Sequence, residues 1–186
     1  VKQNSTNECG TACLLSIIKY YGGNISKEEL SNLIHESING TNAYNLIEGA
    51  KSLGFDGYGI KKTFLELIND HIIFPFIAYT MFENMFHYVV IYNINKKQKK
   101  ILVMDPARGL VKLNYNDFKK RFKEVLIILY PIKPLAKIEE KTALKNICYS
   151  FLKSKNLILF IILLIITILF SILNNFYFKI IIDKVV

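Results

Sequence analysis

Between Lys155 and Lys179 the chain carries no charged side chain, and the middle of that stretch, Leu157 to Leu173, reads LILFIILLIITILFSIL. About 20 apolar residues wound into a helix cross the hydrocarbon core of a bilayer. A core helix of a soluble domain usually keeps a polar stripe, so this run reads as a membrane span, with a buried core helix as the alternative. It limits what else the chain can build, because any folded domain must come from the residues ahead of it. From 133 to 155 there are six Lys (133, 137, 141, 145, 153, 155) and only Glu139 and Glu140 as acids. The bias of positive charge toward the inner leaflet predicts that the preceding part lies in the cytoplasm.

Three segments are expected: a domain over 1–130, a basic amphipathic linker at the membrane surface over 131–155, and a transmembrane helix over 156–186. Pro131 and Pro134 open the linker. Within it Ile138, Ala143, Leu144, Ile147, Phe151 and Leu152 recur at helical spacing among lysines, as in a helix lying on a membrane surface. A helix packed on the domain would show the same pattern. A single span is all that this sequence supplies, so it reads as an anchor or as the first span of something longer. The polar opening VKQNSTNECG is unlike a signal peptide.

Charge and cysteine content exclude several classes. The net charge of +9 is almost all Lys, and it divides into +4 over residues 1–130 and +5 over the much shorter 131–186. A nucleic-acid binder would concentrate its basic side chains on the folded part, rich in Arg and interleaved with exposed aromatics. Lys96, Lys97, Lys99 and Lys100 look instead like a solvated hairpin tip, and no nucleic-acid partner is expected. Three cysteines, Cys9, Cys13 and Cys148, imply neither a disulfide framework nor a four-ligand zinc site, and no metal is predicted.

Residues 1–130 divide into a helical first third and a strand-rich remainder. Apolar spacing predicts a helix over Gly10 to Tyr21, ended by Gly22-Gly23. Ser26 with Glu29 reads as a capping box opening a second helix with Leu30, Leu33 and Ile34 on its apolar face. A third helix is expected from Ala43 to Leu53. Strand-type runs follow at Tyr58 to Lys61, Ile72 to Tyr79, His87 to Ile94, Ile101 to Asp105 and Val125 to Tyr130, with a hairpin loop at Asn95 to Lys100 and a short helix at Asn114 to Phe122. Helices first and then an antiparallel meander give an α+β fold.

Cys9 stands at the start of the first helix, where free N–H groups and the helix dipole favour an anion and so a thiolate nucleophile. Position alone leaves it open between a nucleophile and an inert buried residue. Cys13, one turn on inside the apolar stripe, reads as core packing. A cysteine nucleophile needs a base, a group that orients the base, and an oxyanion donor. His35 and His71 sit in polar turns and read as surface residues. His87 opens an apolar strand whose hairpin partner carries Asp105 at its far end, and a hairpin centred near residue 96 sets 87 opposite 105. Asp105 precedes Pro106, so a plain turn residue is the other reading of it.

QNSTNECGTACLLSIIKYYG closely resembles the nucleophile segment of the bacteriocin-processing, double-glycine leader peptidases. These are papain-like cysteine peptidases fused to the N-terminus of peptide-exporting ABC transporters. HYVVIYNINKKQKKILVMDPARG looks like the His and Asp hairpin of that family, and FYFKIIIDKVV like the end of a first transporter span. The resemblance covers residues 1 to about 130. It implies that Cys9 is the nucleophile, His87 the general base and acid, Asp105 the orienting carboxylate and Gln3 the oxyanion donor. It also implies a leader ending in Gly-Gly, Gly-Ala or Gly-Ser, taken from a bacteriocin or pheromone precursor and recognised as an amphipathic helix. Met81, Phe82, Met85 and Phe86, just before the histidine, are candidates for the groove that receives it, and plain core packing is equally open for them. Glu8 departs from the Asp usual in the family, a change that bears on helix capping. The implied setting is the bacterial cell membrane, with the remaining transporter domains as partners and a homodimer as in ABC exporters. No G-x-x-x-x-G-K-[ST] loop occurs, so ATP and Mg²⁺ are expected only on a nucleotide-binding domain outside these residues. A competing reading is a docking module that binds export substrates without turnover.

Overall fold

The computed structural model describes residues 1–38, 40–82, 85–135 and 157–185. It divides into two compact units, Val1–Glu140 and Lys141–Val186. The amphipathic helix expected over 136–152 lies outside the described residues.

The first unit opens with a 3₁₀ turn, Thr6–Glu8, that runs directly into α1, Cys9–Tyr20. Every α1 residue from Cys9 to Ile18 is buried, which makes α1 the central helix of the unit. Gly10 is required there, because a Cβ at that position would stand 2.4 Å from Thr41 Cγ2. Ser26 Oγ accepts the Glu29 N–H at the start of α2, Lys27–Leu33, as expected of a cap. Asn42 caps α3, Ala43–Ser52, in the same way through the Asn45 N–H. Leu30 and Ile34 are fully buried, but Leu33 is 36% exposed and does not share their face.

Strands follow: β1 Phe55–Lys61, β2 Phe76–Phe82, β3 Met85–Asn95, β4 Lys100–Asp105, β5 Gly109–Asn114 and β6 Phe122–Pro131. Helix α4, Phe64–Asn69, lies between β1 and β2, and α5, Tyr115–Arg121, precedes β6. All neighbours pair antiparallel. The order β1-β6-β2-β3-β4-β5 corrects the expected simple meander, because the last strand inserts between the first two. Helix α4 and strand β5 went unread in the sequence. The first is a single turn and a half opened by a Thr63/Glu66 capping box. The second alternates half-buried and exposed side chains, with the weak apolar signal of an edge strand.

The sheet separates two cores. On one face α1, α2 and α3 bury Cys13, Leu14, Ile17, Leu30, Leu46 and Phe55 against Ile77, Val90 and Met104. On the other, Leu67 of α4 and Phe118 of α5 close over Phe76, Ile91, Ile101 and Val103. After β6 the chain stays on this unit: the Ile132 N–H donates to the Gly54 carbonyl at 3.0 Å, and Leu135 packs on the first core.

The second unit is described as one helix, α6, Leu157–Val185. Within it Ile161–Ile182 is a stretch of 22 residues with mean hydropathy 2.3 and no buried share. At 1.5 Å rise per residue such a stretch is about 33 Å long, which matches a bilayer's hydrocarbon thickness.

Candidate active site

Three elements bring the candidate residues together. Cys9 is the first residue of α1 and is 9% exposed. His87 is the third residue of β3, and Asp105 ends β4. His87 Nε2 donates to Asp105 Oδ1 at 3.0 Å, and both side chains are only 13% exposed. Cys9 acts on the same imidazole, raising its pKa. With Nε2 turned to the carboxylate, Nδ1 is the nitrogen left for the thiol.

The hairpin reaches this contact by a route the sequence did not show. Next to the turn Asn95 pairs with Lys100 and Ile94 with Ile101, but past Tyr92 the register shifts by one, so that Val90 faces Met104. Continued by one residue, this pairing sets Asp105 beside Val89, on the face that His87 shares. Without the extra residue Tyr92, Asp105 would oppose Val90 and turn away from His87. The directly opposed 87/105 pair is therefore corrected to a diagonal contact, which a bulge makes available. Across the sheet, buried Thr80 on β2 donates from Oγ1 to the His87 carbonyl at 2.9 Å. Its pairing with His87 was the one signal that could have revealed it, and that needs the strand order.

Asp105 Oδ1 also accepts the Ala107 N–H at 2.9 Å, and the Asp105 carbonyl accepts the Arg108 N–H. The following Pro106 carbonyl accepts the Gln3 N–H at 3.0 Å, which ties the N-terminal segment to the turn after β4. Gln3 lines the cleft with His87 and Asp105, and its Oε1 is buried without a protein partner. Glu8, the N-cap of α1, makes no capping hydrogen bond through its side chain. Its carboxylate instead accepts the Asn4 N–H at 2.8 Å and pairs with Lys27. The N-cap side chain therefore leaves the N–H groups that open α1 at Cys9 uncapped.

Burial pulls the His87 imidazolium toward neutrality, but the hydrogen bond to Asp105, then the hydrogen bond and charge of Cys9, outweigh it and raise its pKa to about 9. Burial raises the Asp105 carboxyl, yet its bonds to His87 and the Ala107 N–H leave it below the ordinary carboxylate value. Cys13 is fully buried, and burial pushes its thiol well up, in keeping with a core residue. His35 and His71 are exposed, away from the cleft.

The cleft has a volume of about 350 Å³. Phe82, Met85 and Phe86 line it, joined by Ile38 from the loop after α2, but Met81 does not. Met85 and Phe86 are 55% and 61% exposed, which separates them from core packing, and Phe86 stacks on Tyr79 with ring centroids 5.2 Å apart. Ile38, 91% exposed, and Arg108 also line the cleft without having been picked out in the sequence.

The sequence profile of the peptidase C39 family matches residues 1–133. The chain belongs to the peptidase C39 family. This C39 chain is 30% identical over 191 residues to the lactococcin-G-processing and transport ATP-binding protein LagD of Lactococcus lactis, covering 100% of itself and 25% of that relative. It is 29% identical to the pediocin PA-1 transport/processing protein PedD of Pediococcus acidilactici, covering 97% and 25%. The chain thus spans about a quarter of the length of these curated relatives. Among solved structures, the peptidase domain of Streptococcus ComA, a bifunctional ABC transporter of a quorum-sensing pathway, superposes with TM-score 0.65 at 30% identity, over 70% of this chain and 96% of that one. A double-glycine motif protease from an AMS/PCAT transporter, solved with its leader peptide, matches with TM-score 0.65 at 27% identity, over 70% and 89%. The first unit accordingly has the papain-like C39 fold, and it is a cysteine peptidase domain.

Proposed function

We propose that this C39 domain cleaves the leader of an exported bacteriocin or signalling peptide after a Gly-Gly type site, in a chain whose α6 begins the membrane part of an ABC exporter. The observation that carries this reading is the Asp105–His87 hydrogen bond, with Cys9, the first residue of a buried helix, acting on the same imidazole.

The chemistry follows from the positions. The Cys9 thiolate attacks the carbonyl carbon of the last leader residue. The Gln3 side-chain amide and the Cys9 N–H hold the developing oxyanion, and the uncapped start of α1 adds its dipole. His87, held protonated by its two partners, gives its Nδ1 proton to the leaving amine, and water then releases the acyl enzyme with His87 as the base. Asp105 keeps the ring oriented and its imidazolium stable. Gly-Gly, Gly-Ala or Gly-Ser suits the site because a backbone without bulky side chains can approach a thiol only 9% exposed. Phe82, Met85, Phe86 and Ile38 offer the apolar face of a helical leader a seat.

In this reading the domain over 1–130 sits in the cytoplasm on a basic linker over 131–155, and the 156–186 span places it at the bacterial membrane, with two copies in the working exporter. The test is mass spectrometry of synthetic leaders ending in Gly-Gly, Gly-Ala or bulkier pairs, incubated with the full chain in detergent micelles under reducing conditions, beside Cys9→Ala. Cleavage just after the small pair, absent from the variant, is expected. Leaders that bind and stay intact would make this a docking domain instead.

A further inference from the structure

Gln3 serves as an oxyanion donor only if its side chain is aimed, yet its Oε1 is buried with no partner among the described residues. The backbone on either side is held instead. The Gln3 N–H donates to the Pro106 carbonyl at 3.0 Å, and the next amide, the Asn4 N–H, donates to Glu8 Oε2 at 2.8 Å. These two amides flank the Gln3 Cα, so the peptide planes on both sides of it are fixed, and with them the direction in which the side chain leaves.

The first tie runs to the turn behind Asp105, and the second depends on Glu8. A carboxylate that accepts a backbone N–H makes a charge-assisted bond, stronger than a neutral one. The same Oε2 takes the Lys27 ammonium at the start of α2, which braces the carboxylate from a second element. The Lys27 bond first and the Asn4 bond second hold the Glu8 carboxyl below the ordinary carboxylate value. Glu8 is also joined covalently to Cys9, so its grip on Asn4 closes the short arm that carries the Gln3 amide at one end and the Cys9 N–H at the other. Gln3 lines the catalytic cleft, whereas Asn4, Glu8 and Lys27 line a separate pocket with Ser31 and Glu36. Glu8 thus works from outside the cleft.

We propose that Glu8, braced by Lys27, is a positioning residue that sets the Gln3 side-chain amide against the Cys9 N–H. This role rests on the peptidase reading, in which those two groups hold the oxyanion, and it adds a residue whose effect must pass through Gln3.

The experiment is a double-mutant cycle on the full chain in detergent micelles. Two substrates are used: a synthetic leader ending in Gly-Gly, and the p-nitrophenyl ester of acetyl-Gly-Gly, which needs the nucleophile and the oxyanion donors but no leader groove. kcat and KM are measured for the wild type, Gln3→Ala, Glu8→Ala, their double variant, Glu8→Gln and Lys27→Met, with Cys9→Ala as the blank. Gln3→Ala, which removes an oxyanion donor, is expected to lower kcat by about 10²-fold. Glu8→Ala lowers kcat by about tenfold with little change in KM, and almost nothing further once Gln3 is alanine, because neighbours that act through one another do not add. Glu8→Gln, which keeps an acceptor for the Asn4 N–H, restores part of the loss, and the smaller loss in Lys27→Met is reproduced in the wild type by added salt. If Glu8→Ala leaves kcat unchanged, or multiplies the Gln3→Ala loss by its full factor, the positioning role is overturned while the peptidase stands. Where near-UV circular dichroism shows Glu8→Ala unfolded, Glu8→Gln and Lys27→Met run the same cycle against Gln3→Ala. Coupled losses on the ester with every leader left intact keep the positioning role and remove the leader reading, and no Cys9-dependent turnover of either substrate removes both.

Discussion

One oxygen of Asp105 serves two donors, the His87 ring and the Ala107 N–H, so the residue that charges the imidazole also shapes the turn behind it. The sign of the pH dependence follows from this. His87 has a folded pKa of about 9 against an ordinary 6.5, so its contribution to stability is full below about 6.5 and lost as pH rises through about 9. Asp105, held below its ordinary value of 3.8, contributes above that value and loses its contribution as pH falls through the lowered one. The alkaline limb of kcat/KM is therefore expected near pH 9. In Asp105→Asn it moves to lower pH, with kcat reduced by about 10²-fold or more, because the amide neither charges nor fixes the ring. A limb that stays in place while kcat falls would mean that Asp105 does not set the His87 titration. Thr80→Val removes the bond that Thr80 Oγ1 makes to the His87 carbonyl. It should lower kcat more than it raises KM and leave the alkaline limb where it is, since Thr80 touches the strand backbone and not the ring. An unchanged kcat would reduce Thr80 to a packing residue.

At the scale of elements, the two faces of the sheet carry different duties. The side of α1 to α3 holds the nucleophile, while the side of α4 and α5 supplies packing under the hairpin that carries His87 and Asp105. Leu67, the buried anchor of α4, is 1% exposed. Leu67→Ala is expected to cost about 2–5 kcal/mol and lower the melting temperature, with kcat/KM per folded molecule kept. Near-UV circular dichroism against temperature, beside the leader assay, checks both halves. Much of this was legible in the chain: α1, α2, α3, α5 and five of the six strands announce themselves through periodicity and caps, as at Ser26. What failed has identifiable causes. The register of the hairpin depends on one extra residue, Tyr92, that carries no turn signal and continues the apolar run HYVVIYNI. The placement of β6 between β1 and β2 is a long-range choice that no window of sequence contains. His87 and Asp105 could be paired by eye because a strong loop separates them. The approach of Arg108, in the turn after β4, to the Phe82 ring at the end of β2, 4.1 Å from guanidinium carbon to ring centroid, could not, because it depends on the strand order.

For the whole molecule, the peptidase and α6 make separate demands on one chain. If Ile161–Ile182 spans the bilayer with the first unit inside, the protein should stay with membranes through alkaline carbonate extraction. An epitope at residue 1 should resist protease added to intact spheroplasts and be lost once they are opened. Digestion in intact spheroplasts would reverse the orientation. The strand order has a further consequence in time. Because β6 lies between β1 and β2, the strand made last is the one that ties β1 to the run β2 to β5, whose strands pair with one another in chain order. Residue 131 must leave the ribosome before β1 can be fixed to the rest of the sheet, and Leu157 follows only a few seconds behind it at ordinary synthesis rates. The hairpin of His87 and Asp105 can thus form before the sheet around it is closed, and closure falls at about the moment when the nascent chain reaches its long apolar helix.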